Sequence, residues 1–286
     1  MDAPPAREDC KPFMAVAGYL ESMQLNAPRV LEANPDDGYL LLTDLGSTPY
    51  LDELERDTTS AGRLYDDALR SLATVQEQGS AFQSHLPPYD ERLLRFELSL
   101  FHDWLCGTHL GIEFSDAEER AWQSLCNCLV DNAFDQPQVF VHRDYHSRNL
   151  MVCADDNPGI IDFQDSVEGP VTYDLVSFLK DCYIKWPAER IDAWATQFCE
   201  ATRNAGIHSL ETADYLRHFD LMGVQRHLKA AGIFARLNHR DGKARYMNDV
   251  PRTLSYIADL EGDYEELAFL VDFVLEKVLP GVESSR

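Results

Sequence analysis

Two short β-branched runs carry most of this chain's unusual polar residues: VFVHRDYHSRNLM at 139–151 and IIDFQD at 160–165. A strand ending at Val141 delivers His142, Arg143 and Asp144 to a loop at its edge, where a carboxylate faces a cleft while the strand stays packed. Asn149 opens the next run, five residues after Asp144, and Asp162 ends the one after that. Two oxygen donors on neighbouring strands, with a further carboxylate between them and an acceptor, suit Mg²⁺, which binds through one or two carboxylates plus substrate phosphates. Phosphoryl transfer asks for little more than such a metal and a carboxylate to take the hydroxyl proton.

The segments around these runs divide by hydrophobic period. Residues 9–24 carry Phe13, Val16, Ala17, Leu20 and Met23 at helical spacing, and RVLEAN (29–34) with GYLLLTDLG (38–46) predicts a hairpin across an Asn-Pro-Asp-Asp-Gly turn. After a connector near residues 45–52, helical spacing predicts helices over 60–78, 90–109 and 116–134. QVFVH, NLMVCA and GIIDF then read as three brief strands, with DDNPG as the turn between the last two. Beyond Gly169-Pro170 the chain is expected to be helical, interrupted at Pro187, Gly206, Asn238 to Gly242 and Pro251.

Charge and cysteine usage narrow the partners. Forty-nine acidic against 25 basic residues give a net charge of −24, which repels nucleic acid and anionic membranes but leaves room for one local anion pocket. No run approaches the roughly 20 apolar residues of a membrane span, and the first residues show no signal-peptide pattern, so a cytoplasmic protein is expected. Seven dispersed cysteines, Cys126-x-Cys128 among them, are expected to be thiols without a disulfide framework. No obligatory protein partner is evident.

The pattern H-R-D-x-x-x-x-N followed by I-D-F belongs to protein-kinase-like proteins. In the form HRDYHSRNL with IIDFQD and the later GPVTYDLVSFLKD, it resembles the aminoglycoside phosphotransferase and choline kinase family. The resemblance implies an α+β kinase-like fold with a small β-containing N-lobe (1–46, helix plus hairpin, hinge at 44–46) and a larger, mainly helical C-lobe (47–286). That C-lobe would hold the catalytic loop 142–149 and the metal-binding strand end 160–165. It implies ATP and Mg²⁺ as cofactors, Asp144 as catalytic base and Asn149 and Asp162 as metal ligands. His146 would face the phosphates, and the backbone of Asp44, Leu45 and Gly46 would bond adenine. His142 and Arg143 would support the loop, with Asp174 bonded to its backbone.

Within the family, MDAPPAREDCKPF, GYLLLTDLG, HRDYHSRNLM, IDFQD and QRHLKAAGIFARLNHRDGKARYMNDVPRTL resemble, from residue 1 to about 260, bacterial kinases acting at carbon 1 of N-acetylmuramate and N-acetylglucosamine in cell-wall recycling. This implies a sugar and a nucleotide as small-molecule partners. Arg226, and less so Arg236, sit among apolar neighbours where a cation needs a counter-charge, which a lactyl carboxylate would supply. Tyr145, Asn248 and Asp249 are further acceptor contacts on this reading.

Other readings stand beside it. The family's glycine-rich loop and strand lysine do not occur here, so the numbering is expected to begin inside the usual N-lobe, with metal chemistry retained and ATP binding weakened. A kinase for an aminoglycoside or a choline-like amine would want an acidic acceptor pocket, and a catalytically silent binding protein would show no response to nucleotide. Arg240 reads as a solvated helix residue, and Asp165 as either a turn cap or a partner of the metal ligands. His142 and His146, four apart in a loop, do not read as a zinc pair, and Ser147 lacks the elbow of a hydrolase nucleophile.

Overall fold

Helix α1 (Cys10–Ser22) forms on the predicted apolar stripe: Asp9 caps it by accepting from the Lys11 N–H, and Phe13, Val16, Ala17 and Leu20 are buried. The computed structural model describes residues 1–5 and 8–284. Past Gln24 the chain enters the antiparallel hairpin β1 (Val30–Asn34) and β2 (Tyr39–Leu42), as its turn residues predict. Gly38 closes that turn at φ 77°, and a Cβ there would lie 2.0 Å from the Ala3 carbonyl oxygen, so only glycine fits. The buried face of α1 shares one apolar cluster with Leu40 and Phe163. Phe13 stacks on Phe163 at 4.7 Å, which lays α1 against IIDFQD.

Helices α2 (Tyr50–Arg56), α3 (Ala61–Gly79), α4 (Glu91–Leu100) and α5 (Asp116–Phe134) come next, α5 opened by a capping box between Ser115 and Glu118. The single helix expected over 90–109 is divided: α4 stops at Leu100, and Phe101–His109 continues it as a π-helix. The change begins where another helix presses closest. A Cβ on Gly232 would lie 2.3 Å from the Leu100 carbonyl carbon and 2.4 Å from the Phe101 nitrogen.

Four strands, not three, frame the polar loops. β3 (Gln138–Val141) pairs with β6 (Val167–Pro170), and β4 (Leu150–Met151) with β5 (Gly159–Ile160), both antiparallel. The Gly-Pro of β6 reads locally as a turn; in the fold Pro170, which has no N–H to donate, sits at the ladder's end opposite Gln138. β4 and β5 are shorter than their apolar runs because the chain leaves the ladder at once, Asp162 taking φ 66°.

The rest is helical: α6 (Tyr173–Leu179), α7 (Ala188–Asn204), α8 (Thr212–Asp241), α9 (Val250–Ala258), α10 (Ala268–Phe273) and α11 (Leu279–Ser284). The break expected over 238–242 falls at Gly242 alone, whose φ of 66° terminates α8 in the left-handed region. Pro251 starts α9 instead of interrupting it, since a first-turn position has no helical bond for the missing N–H to make. α8 is enclosed by its neighbours, so Gln225, Arg226, His227 and Lys229 are buried in its middle and each polar group must find a partner. The His227 Nε2–H donates to the Lys180 carbonyl at 2.9 Å, and the ring stacks on Tyr256 at 4.7 Å. Among the described residues no helix is long and apolar enough to cross a membrane.

Two predictions follow from α8. Gly232→Ala overpacks the crossing with α4 and is expected to cost about 1–3 kcal/mol in urea unfolding. Burial lowers the His227 pKa from 6.5 to about 3. The unfolded chain therefore binds a proton between those values that the folded chain refuses. This contribution is whole above pH 6.5 and is lost as pH falls toward 3. Between pH 7.5 and 5 the parent should lose about 2 kcal/mol more than His227→Gln, which keeps a donor for Lys180 without titrating.

Candidate active site

The loop after β3 owes its shape to one buried carboxylate. Arg143 adopts φ 74°, a left-handed conformation that crowds the Cβ of any L-residue against its own carbonyl oxygen. Asp174, in the first turn of α6, accepts the His142 N–H at 2.6 Å and the Arg143 N–H at 3.0 Å, satisfying both amides at the kink. Burial pushes the Asp174 carboxyl up to about 7, with the two N–H bonds and Arg226 pulling the other way. His142 lies beneath: its Nε2–H donates to the Ile161 carbonyl at 3.1 Å and its Nδ1 accepts the Asp144 N–H at 3.3 Å. Burial lowers its pKa to about 4, so the ring is a neutral strut between the two motif segments.

Asn149 and Asp162 meet where those segments converge. The Asn149 Nδ2 donates to the Asp144 carbonyl at 3.0 Å and to Asp162 Oδ2 at 3.1 Å, which leaves the amide oxygen as the group without a hydrogen-bond partner among the described residues. Asp162 Oδ1 accepts from Gln164 at 2.8 Å. Both residues line a cleft of about 790 Å³ with Glu8, Asp9, Gln164 and Asp165. Among the described residues no group of three or more His, Cys, Asp or Glu forms a self-sufficient metal cage. The donor set instead fits a hard cation completed by water and phosphate oxygens, the usual habit of Mg²⁺. Asp165 lines the cleft through the same turn, and its carbonyl accepts from Arg143 Nη1 at 3.5 Å.

Asp144 opens on the other side, into a pocket of about 110 Å³ shared with His146, Asp181, Cys182, Tyr183, Arg226 and Lys229. Burial works against its charge, but the Lys229 ammonium and the Arg226 guanidinium outweigh it and hold the carboxyl down to about 2. Arg226 is 6% exposed, its Nε has no partner among the described residues, and Nη1 reaches only the Cys182 thiol at 3.9 Å. Burial lowers the His146 pKa, and its Nδ1 is likewise without a partner there, while its ring stands edge-on to Tyr183 at 5.4 Å. The Arg148 guanidinium carbon lies over the same Tyr183 ring, 3.7 Å from its centre.

The structure thus gathers Asp144, Asn149, Asp162, His142, His146, Arg143, Asp174 and Arg226, and leaves others apart. Tyr145, expected as an acceptor contact, is fully buried, and its hydroxyl donates to the Ala68 carbonyl at 2.7 Å, so it braces the loop from the core and does not line the Asp144 pocket. Arg236 lies ten residues beyond Arg226 on α8, about 15 Å along the axis, among Arg240 and Asp241. Asn248 is on the short helix Ala244–Asp249, where Asp249 accepts from Arg252 at 2.8 Å; neither residue lines the Asp144 pocket. At 44–46 the Gly46 N–H donates to Asp44 Oδ1 at 2.9 Å and the Leu45 carbonyl accepts from the Cys153 thiol at 3.6 Å. Ser147 is fully buried, gives its hydroxyl to Asp181 at 2.6 Å and lines neither the cleft nor the Asp144 pocket.

Three residues of the site went unread in the sequence. Glu97 sits among leucines at helical spacing, Lys229 in the same apolar run as Arg226 and Arg236, and Asp181 between helices; only the fold shows them to be buried beside the loop. A lone acid on the apolar face of α4 was the one visible signal. All seven cysteines are free thiols.

The sequence profile of a phosphotransferase enzyme family matches residues 1–212. The chain is 47% identical over 273 residues to the N-acetylmuramate/N-acetylglucosamine kinase of Pseudomonas aeruginosa, covering 94% of this chain and 79% of that one. Identity to the kinase of the same name from Pseudomonas putida is 45% over 278 residues, covering 96% and 80%. Among solved structures, the GDP complex of wild-type aminoglycoside 2′-phosphotransferase-IIIa superposes with a TM-score of 0.59 at 14% identity, over 86% of this chain and 82% of that one. The fold is accordingly kinase-like α+β, with a small strand-containing N-terminal part and a mostly helical remainder.

If Asp174 holds the kink, Asp174→Ala strands two buried amides and should lower stability by about 2–4 kcal/mol, read as an earlier denaturant midpoint. The bulk of the fold should survive, with far-ultraviolet circular dichroism unchanged before the transition.

Proposed function

This chain belongs to the phosphotransferase enzyme family that its residues 1–212 match, and on that premise we propose that it transfers the terminal phosphoryl group of ATP to the anomeric hydroxyl of an amino sugar. The observation that carries the reading is a division of labour across one loop. Asn149 and Asp162 line the larger cleft, Asp144 lines the smaller pocket, and a single amide, Asn149 Nδ2, ties the two sides together. The nucleotide phosphates belong in the cleft and the acceptor hydroxyl in the pocket. Residues 1–46 then cover the nucleotide side and 47–286 form the body, in the cytoplasm where ATP is made.

The acceptor follows from charge. Arg226 and Lys229 wall the pocket, which disfavours a polycationic aminoglycoside or a choline-like amine. The relatives are named for N-acetylmuramate and N-acetylglucosamine. The first of these sugars carries a lactyl carboxylate, the counter-charge that the buried Arg226 lacks.

In the reaction, Asp144 orients the anomeric hydroxyl by accepting its hydrogen bond and takes the proton as the oxygen bonds to phosphorus and the nucleoside diphosphate leaves. A hemiacetal hydroxyl is more acidic than an ordinary alcohol, so a carboxylate held at about 2 serves as base late in the step. Asn149 and Asp162 would hold Mg²⁺, which when bound neutralises charge on the phosphate oxygens. His142 and Asp174 keep the loop in place, and His146 lies beside Asp144 as a neutral ring.

Mass spectrometry after incubation with ATP and Mg²⁺ should find a phosphate adduct on N-acetylmuramate and N-acetylglucosamine, and none on kanamycin, choline or a methyl glycoside blocked at carbon 1. Adducts on the amines alone would refute the acceptor assignment. Asp144→Asn should reduce kcat by about 10²–10⁴-fold while the melting temperature holds. Arg226→Gln should raise KM for N-acetylmuramate by about 10- to 100-fold and leave N-acetylglucosamine nearly unchanged.

A further inference from the structure

Glu97 is an acid in the wrong place for packing. It lies on the apolar face of α4, 2% exposed, and the reading of Asp144 as base leaves it without a task. It accepts from Arg143 Nη2 at 2.6 Å, lies 3.3 Å from the Lys229 ammonium, and accepts the Tyr89 hydroxyl. Lys229 in turn donates to the Tyr173 hydroxyl at 2.9 Å, and the two tyrosine rings meet edge-on at 5.3 Å. A buried carboxylate with two buried cations is a poor way to gain stability, because apolar residues of similar volume in such a place are often neutral or better. The network is distinguished by where its ends lie. One cation, Arg143, is the kinked residue immediately before Asp144. The other, Lys229, lines the same pocket as Asp144, on the opposite element.

We propose that Glu97 is a positioning residue for phosphoryl transfer, acting through Arg143 on the catalytic loop and through Lys229 on the face of the pocket that Asp144 shares. This deepens the kinase reading and rests on it. Without Glu97 the Arg143 guanidinium keeps only its 3.5 Å contact to the Asp165 carbonyl, and its Nε already has no partner among the described residues. The Lys229 ammonium keeps only the Tyr173 hydroxyl among the hydrogen bonds and ion pairs it makes. Lys229 in the pocket and Arg143 in the loop next to Asp144 would then be free to shift, and displacements near 1 Å are enough to cost about 10²-fold in rate. Burial opposes the Lys229 charge, but Glu97, Tyr173 and Asp144 raise its pKa above the ordinary value, consistent with an ammonium held between them.

The test uses the full chain in steady-state turnover with ATP and an amino-sugar acceptor. Glu97→Gln, which keeps the side chain's shape, should lower kcat about 10- to 100-fold with the KM for nucleotide within about twofold of the parent. Lys229→Met should do the same, and Lys229→Arg should recover part of the loss. The double variant Glu97→Gln/Lys229→Met should fall little below the worse single variant, because both act along one path. Melting temperatures show that each protein is folded. Should Glu97→Gln fail to fold, the Lys229 pair carries the test alone. A folded Lys229→Met with kcat within about twofold of the parent, losses that multiply in the double variant, or a nucleotide KM that rises in step with the fall in kcat would overturn the proposal. Asp144→Asn, run alongside, separates the two levels. If it is silent while the Glu97 and Lys229 variants match the parent, only this proposal falls; if it turns over at the parent rate, the kinase reading falls and takes the proposal with it.

Discussion

A left-handed kink at a residue that is not glycine has to be held from outside, and in this chain Asp174 holds it. The backbone at Arg143 would otherwise relax into the ordinary region at a gain of about 1–2 kcal/mol, carrying Asp144 away from its pocket. Asp174 blocks that by occupying both amides at the turn. Because α6 starts just after β6, and β6 is paired along its length with β3, the ladder fixes the carboxylate relative to the strand that presents the loop. The extra strand is therefore what sets the register between the anchor and the thing anchored.

From that point the site is organised by charges that water does not reach. His142 is neutral and bridges the loop to Ile161, next to Asp162, which is itself left-handed and accepts a hydrogen bond from Asn149. Across the loop, Lys229 and Arg226 come from α8, a helix surrounded closely enough that Gly232 has no room for a methyl group. The tight crossing of α8 with α4 explains how Glu97 and Lys229 come within 3.3 Å. Packing and electrostatics are not separable here, since the helix that closes the core also supplies the cations of the pocket.

Much of this was legible from the chain alone, and the misses share a physical cause. Local periodicity identified α1, the hairpin, α3 and α5, because each buries one face against one neighbour. It failed for β6, whose Gly-Pro imitates a turn, and for the π-helical continuation of α4, which starts where Gly232 of α8 presses closest; both involve contacts distant in sequence. The motif spacing brought Asp144, Asn149 and Asp162 together because they lie within 19 residues of one another on two short hairpin-like segments. The residues assigned to the acceptor are divided by the fold. Arg226 reaches the pocket, but Tyr145 turns into the core and Arg236 lies three turns along the helix, since neither direction nor distance is readable without the fold.

The central claim is that the loop 142–149 divides a metal and phosphate cleft from an acceptor pocket. A crystal structure of the full chain with Mg²⁺, a non-hydrolysable ATP analogue and N-acetylglucosamine tests it most directly. The expected result is a cation bound by Asn149 Oδ1 and Asp162, with the anomeric oxygen within hydrogen-bonding distance of the Asp144 carboxylate. Phosphates seated away from Asn149 and Asp162, or a sugar bound with carbon 1 turned from Asp144, would contradict the account.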